Sequence, residues 1–270
     1  MSWPLLATLA VESCESCPSR LRGLCLGWQP AEIASLASIK LPPRSIPAGA
    51  ALYRQGEPMD DYLVVVEGWV ALRVMLQHGT WHIPDVALPG GLLMPLQGGA
   101  EGMDHSAICL TPVKVCTLPR SRLNALASDM GSVGIRLAQL SSHREARLRD
   151  HFASISGRPA RERVAHLFVE LFYRSRHSLP RSAGEVATIP LNLGHLGEAL
   201  GLTAVHVSRT LGVLREQRIM RFFRQRMEVL DPEGLLRAAG FEADFAAFAD
   251  EALGRAMGAP LGAGRMHTRH

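Results

Sequence analysis

Three cysteines stand near the start of this chain as Cys14-x2-Cys17-x7-Cys25, and two more follow at Cys109 and Cys116. A thiolate is a soft donor that suits iron–sulfur centres or zinc better than magnesium or calcium. In a reducing compartment five cysteines read as ligands or buried thiols and not as a disulfide framework. The second chemical feature lies towards the other end. Leu193 to Ile219 runs as an apolar helix, a glycine turn and a second helix, the order of a DNA-reading helix-turn-helix. Six arginines, Arg209, Arg215, Arg218, Arg221, Arg224 and Arg226, fall within eighteen residues there, a footprint for phosphate. Together the two features imply a metal-centred sensor joined to a promoter reader.

The reading helix is expected over Ala204 to Gln217, after a Gly201-centred turn, with Thr203 placed to cap it. Helical periodicity puts Val207, Leu211 and Leu214 inward and leaves Val205, His206, Ser208, Arg209 and Arg215 outward. An outward arginine can fork onto guanine N7 and O6, Ser208 can bond a base edge or a phosphate, and the helix N-terminus favours phosphate. Arg221 to Leu230 reads as a wing, two short strands around Arg224-Gln225-Arg226, with Arg224 and Arg226 on the DNA backbone. A helical hairpin with a solvated basic face is the plainer alternative.

Other elements must position these residues, and the 270-residue chain has room for two modest domains. An apolar share of 47%, a charged share of 20% and a net charge of +4 are those of an ordinary globular protein. From about Leu41 short strands alternate with turns: Leu52-Tyr53, Tyr62 to Val66, Trp69 to Leu76, Trp81 to Ile83 and Ala107 to Leu118. That is the grammar of a small antiparallel roll or barrel. Leu123, Leu126, Met130, Val133, Leu137 and Leu140 then fall at spacings of three and four, continued by Leu148, Phe152 and Ile155. Such a stripe either packs a helix on its own roll or joins two chains. Gly131 and Gly134 are expected to divide it into a short helix and a longer one from near Ser132, and Gly157-Arg158-Pro159 to end it. A further helix, Ala160 to Ser175, turns Val164, Leu167, Phe168, Leu171 and Phe172 to one face. No run of eighteen apolar residues is present, and the first residues, MSWPLLATLAV, lack a basic export signal. A cytoplasmic protein with no membrane partner is therefore expected.

The chain resembles the Crp/Fnr superfamily of bacterial transcription regulators over nearly its whole length. The resemblance rests on Leu52 to Gly68 (LYRQGEPMDDYLVVVEG), Gly157 to Leu167 (GRPARERVAHL) and Gly201 to Leu211 (GLTAVHVSRTL). It implies an α+β fold: a cyclic-nucleotide-binding-type β-roll, a long dimerisation helix and a winged helix-turn-helix that binds a palindromic operator as a homodimer and meets RNA polymerase. The expected divisions are a cysteine segment 1–40, a roll 41–120, a dimerisation region 121–157, a reader 158–240 and a partly disordered extension 241–270. Val133, Leu137, Leu140, Leu148, Phe152 and Ile155 become the dimerisation residues. The resemblance implies a regulator and no enzyme.

Within the superfamily the roll can hold a cyclic nucleotide, a haem, another small ligand or nothing. The phosphate cassette of the nucleotide-binding members has an arginine, and Pro89 to Ala107 contains none, which argues against cyclic AMP. The cysteine set instead resembles that of the oxygen-sensing Fnr branch, which implies a [4Fe–4S] cluster on Cys14, Cys17, Cys25 and Cys116, with Cys109 in reserve. By the same resemblance, an intact cluster favours the dimer by packing the N-terminal segment on the roll and the long helix, and oxygen shifts it towards a form that binds DNA weakly. Open alternatives are zinc on four thiolates, thiol redox without metal, haem-bound nitric oxide with His78, His82 or His105 near the roll, and an iron–sulfur electron carrier. One departure bears on specificity. The Fnr branch presents Glu-x-x-Ser-Arg on its reading helix, where this chain has Val205-His-Val-Ser208-Arg209. Loss of the carboxylate removes an acceptor for a cytosine amino group, and His206 is a candidate replacement contact.

Overall fold

The computed structural model describes residues 13–95 and 102–241. The first residues of the chain, the middle of the Pro89–Ala107 stretch and the extension from residue 242 lie outside the described residues. The chain divides into two compact units, one of residues 1–70 with 89–140, the other of 71–88 with 141–270. This division differs from the boundaries expected above, because residues 71–88 group with the reader and the long helix is shared.

In the first unit a single 3-10 turn, Gly23–Cys25, leads to helix α1, Pro30–Ile39. Pro30 opens α1 with φ already set, and Gln29 and Glu32 close a capping box around its free N–H groups. The roll follows with β1 Arg44–Ile46, β2 Ala51–Tyr53, β3 Asp61–Glu67, β6 Leu92–Leu93, β7 Ser106–Cys109 and β8 Val113–Pro119. One sheet runs β1-β8-β3-β6, and its β3–β8 register sets Tyr62 opposite Leu118 and Val64 opposite Cys116. β3 is apolar and buried from Tyr62 to Val66, with both faces covered, so the usual alternation is missing from its sequence. β2 pairs with β7. The strand expected over Ala107 to Leu118 is two strands: Pro112, with no N–H to donate, falls where the ladder breaks.

Helix α2, Arg120–Asp129, follows β8 directly, and α3, Gly131–Gly157, follows α2 after an extended Met130. Leu24, Trp28, Ile33, Leu36, Tyr62, Val64, Leu118, Leu123 and Val133 form one buried cluster, with Leu126, Met130, Leu137 and Leu140 packed on it. The first half of the apolar stripe is thus held by its own roll. Val133 has 0% exposure and no surface left for a second chain.

The second unit contains a hairpin of β4 Val70–Met75 and β5 Trp81–Ala87, the later part of α3, and α4 Ala160–Arg176. Val164, Leu167, Phe168, Leu171 and Phe172 are buried on α4 as their spacing predicts. The reader is completed by β9 Val186–Thr188, α5 Leu193–Leu200, α6 Ala204–Glu216, β10 Met220–Phe223, β11 Arg226–Val229 and α7 Pro232–Ala238. Its sheet runs β10-β11-β9, and Phe222 meets Phe168 of α4 edge to face with ring centres 4.8 Å apart.

Candidate functional site

The reading helix is fixed at its start by two side-chain caps and a glycine. Asn192 Oδ1 accepts from His195 N–H at 2.8 Å to open α5. Gly201, at φ 62°, turns the chain left-handed to close it, a conformation that strains any residue with a Cβ. Thr203 Oγ1 then accepts from His206 N–H at 3.1 Å and opens α6, as the sequence predicts. Arg163 of α4 donates to Leu200 O at 2.7 Å and to Arg158 O at 3.1 Å, anchoring the turn to the supporting helix.

Val207, Thr210 and Leu214 are the buried residues of α6. Leu211, expected inward, is half-buried because Thr210 takes the inner position and returns its hydroxyl to His206 O at 2.9 Å. Val205, His206, Ser208, Arg209 and Arg215 are exposed, the arrangement expected of a face that reads base edges. The wing turns on Arg224 at φ 48° and Gln225 at φ 63°, a two-residue left-handed turn usually given to glycine or asparagine. Arg224 lies 5.2 Å over the Phe223 ring, and Arg224 and Arg226 are exposed at the tip. Arg221 is instead committed to Glu228, at 2.7 Å from its Nε. A cleft of about 450 Å³ separates α6 from the wing, lined by Ser208, Leu211, Arg215, Phe222, Phe223 and Arg224.

At the other site, Cys14, Cys25 and Cys116 pack against the buried cluster of the first unit. Cys17 belongs to the same patch electrostatically. Burial first, then charge on Cys17, Cys14 and Cys116, pushes the Cys25 thiol up to about 12. Burial does the same to Cys116, up to about 11, against the pull of Lys40 and with Cys14 and Cys17 raising it further. Cys109, buried on β7, is raised by burial alone and feels none of the other thiols. Among the described residues no group of three or more His, Cys, Asp or Glu side chains is arranged to hold a metal ion.

The donor chemistry nevertheless fits a thiolate-bound centre. The Cys25 and Cys116 thiols, whose ionisation is opposed by burial and by the neighbouring cysteines, are groups whose charge a bound cation would stabilise. Cations also surround them. Arg20 and Lys40 favour the Cys25 and Cys116 thiolates, and burial holds Arg136 below its usual range against the opposing pull of Cys25.

The cysteine segment is tied down by bonds that no local motif announces. Ser19 Oγ donates to Val66 O at 2.8 Å, and Arg20 donates to Cys25 O and Trp28 O, both at 2.8 Å. Arg136 of α3 donates to Leu26 O. Gly23, at φ 50°, lies against Gly90, and any Cβ there would overlap the Gly90 carbonyl.

Of the histidines near the roll, His78 is exposed and His82 faces His151 at 5.7 Å between ring centres. Both ring nitrogens of His105 are engaged, Nε2 with Tyr53 Oη at 2.7 Å and Nδ1 with Asp104 at 2.5 Å, which leaves neither for a haem iron. Along α3, Leu148 and Ile155 are half-buried, while Ile135 and Phe152 are 63% and 69% exposed.

A β-roll unit joined through a long helix to a winged helix-turn-helix defines a class of DNA-binding regulator, and comparison with known proteins specifies the family. Residues 43–129 match the cyclic nucleotide-binding domain and residues 162–238 the Crp-like helix-turn-helix domain. The transcriptional activator protein FnrL of Cereibacter sphaeroides is 26% identical over 234 residues, 86% of this chain and 93% of that one. The nitrogen fixation regulation protein FixK of Bradyrhizobium diazoefficiens is 25% identical over 81% of this chain and 90% of that one. The solved structure of FixK2 from Bradyrhizobium japonicum superposes with a TM-score of 0.65 at 25% identity, covering 74% of this chain and 98% of that chain. The chain belongs to the Crp/Fnr family and is a transcription regulator, similar to FnrL and FixK, and not an enzyme. No described helix is long and apolar enough to cross a membrane.

Proposed function

We propose that this regulator senses oxygen or redox state through a [4Fe–4S] cluster held by Cys14, Cys17, Cys25 and Cys116, and that its cluster state controls binding to a palindromic operator as a homodimer. The observation that carries the reading is the grouping of these four thiols in one patch from which Cys109 is absent. A bound cluster supplies an iron–sulfur core with which oxygen or another oxidant reacts. The rest is done by the chain's own residues. Arg20 holds the carbonyls on both sides of the Cys25 loop, and Arg136 grips the same loop at Leu26 from the first turns of α3. A shift of the loop therefore reaches the long helix through one guanidinium, and the buried cluster around Trp28 and Val133 moves with it.

We assign the dimer contact to Leu148, Phe152 and Ile155 and to the part of Leu137 and Leu140 that the roll's core leaves exposed, with Val133 left to the core; the wide exposure of Phe152 supports this face. At the operator, Arg209 reads a guanine, Thr203, Val205, His206 and Ser208 lie at the base edges or adjoining phosphates, and Arg215, Arg224 and Arg226 take the DNA backbone. The absence of an arginine from Pro89–Ala107 argues against cyclic AMP as the signal. RNA polymerase is the expected protein partner on DNA.

The test is the iron and acid-labile sulfide content and visible spectrum of protein purified without oxygen, for wild type, Cys116→Ala and Cys109→Ala. The reading expects about four irons per chain, a visible band that changes in air, and loss of both in the Cys116 variant alone. Iron-free protein with one tightly bound zinc would replace the cluster by a zinc site on the same donors. Loss in the Cys109 variant would overturn the ligand set.

A further inference from the structure

Val205 is an apolar side chain left in the open on α6. The fully apolar residues that α6 needs for packing, Val207 and Leu214, have 0% exposure, whereas Val205 is 62% exposed. It does nothing for the helix either. As the second residue of α6 it occupies a turn where acidic or small polar side chains complement the dipole, and α6 has no acidic residue in its first turn. A β-branched side chain lowers helix propensity and, when exposed, offers no burial in return. Nor does it belong to an apolar patch of the size that docks another protein: Ala160 and Val213 line the same open depression, but Arg161, Thr203, His206, Arg209 and Thr210 stand between and beside them. An exposed apolar group on the same face as Arg209, at the N-terminus of a reading helix, has a natural complement on a duplex: the C5-methyl of thymine, the only apolar group on the major-groove edge.

We infer that Val205 is a specificity-determining residue that reads a thymine methyl in each half-site, an inference that rests on the DNA-reading role proposed above. Val205 and Arg209 are four residues apart on α6 and share one face, about 6 Å along the axis. Base pairs rise ~3.4 Å each, so the thymine lies one or two base pairs from the guanine forked by Arg209. The isopropyl group also excludes water from that pair, which strengthens the discrimination against cytosine, whose edge carries no methyl.

The experiment begins with selection of binding sites from random duplexes by the full-length chain, purified without oxygen, followed by affinity measurements on the selected site with that thymine replaced by deoxyuridine. Removing one methyl should weaken the wild-type protein roughly fourfold per half-site. In Val205→Ser, whose exposed position leaves the fold undisturbed and whose side chain is polar, the same replacement should have no effect, and 5-methylcytosine in place of cytosine should be favoured over cytosine by the wild type alone. A selected palindrome with no thymine within two base pairs of the guanine overturns the inference while leaving DNA reading in place. So does a deoxyuridine effect of equal size in both proteins. Failure to select any sequence overturns the DNA-reading role, and this inference with it.

Discussion

Asp85 gives the sharpest energetic prediction. Its carboxylate, with a side chain only 8% exposed, sits on β5 between three guanidinium groups: Arg174 at 3.2 Å, Arg147 at 3.3 Å and Arg144 at 3.9 Å. Burial by itself would raise the carboxyl's pKa, but Arg174, Arg147 and Arg144 outweigh it and hold the group below the usual carboxylate range. At an effective dielectric of about 20, each contact is worth on the order of 4 kcal/mol before desolvation. Desolvation removes much of the gross sum, and the relevant quantity is the cost of leaving the partners uncompensated, ~3–5 kcal/mol. Asp85→Asn should therefore lower stability by about that amount and the melting temperature by roughly 10 °C. The three arginines would then share Glu170 alone, which reaches Arg174 at 2.9 Å.

Urea unfolding of the full chain followed by circular dichroism, repeated from neutral to acid pH, measures the effect. Because the folded carboxyl is the stronger acid, its contribution is complete above about pH 4 and fades as pH falls through the folded value. Wild type and variant should accordingly converge on acidification. Pairing the change with Arg174→Met should recover part of the loss, since the two positions are coupled. A variant within about 0.5 kcal/mol of wild type at neutral pH, or a gap that persists unchanged into acid, would refute the reasoning.

Two further outcomes are expected. Arg209→Ala should cost about 1–3 kcal/mol at one base pair of each half-site, measured by affinity across single-base operator variants; equal loss on every sequence would recast Arg209 as a phosphate contact. Gly23→Ala forces a Cβ onto the Gly90 carbonyl and strains a left-handed position, so it should destabilise the first unit by at least about 2 kcal/mol and free the cysteine segment from the roll. Hydrogen exchange of Ser19 to Trp28 unchanged from wild type would show that the segment is not seated there.

The reader was legible because its signals are local. Thr203 caps within three residues, Gly201 needs its left-handed turn whatever surrounds it, and Val207 and Leu214 follow helical spacing, so short-range sterics and periodicity suffice. The apolar stripe from Leu123 to Ile155 was legible as a helix but not as a partner, because spacing says which residues share a face and not what covers it. The roll's core takes Val133, while Phe152 on the same helix stays exposed. The same logic assigns Leu211 inward, yet Thr210 takes the buried place, with its hydroxyl on the His206 carbonyl.

By itself, the sequence determined the class of fold, the order of its elements, the exposed face of α6 and the cysteines available as donors, all consequences of interactions that span a turn or a strand. Which sulfurs share an environment is a matter of tertiary structure, which the residues alone leave open and only the family resemblance suggests. Cys116 joins Cys14, Cys17 and Cys25, while Cys109, seven residues away on the preceding strand, which pairs with β2, is apart from them. Tertiary structure also decided that Asp85 would gather Arg144, Arg147 and Arg174. Those pairings depend on which chain segments meet when the core closes, and a charge or thiol carries no local pattern that names its distant partner.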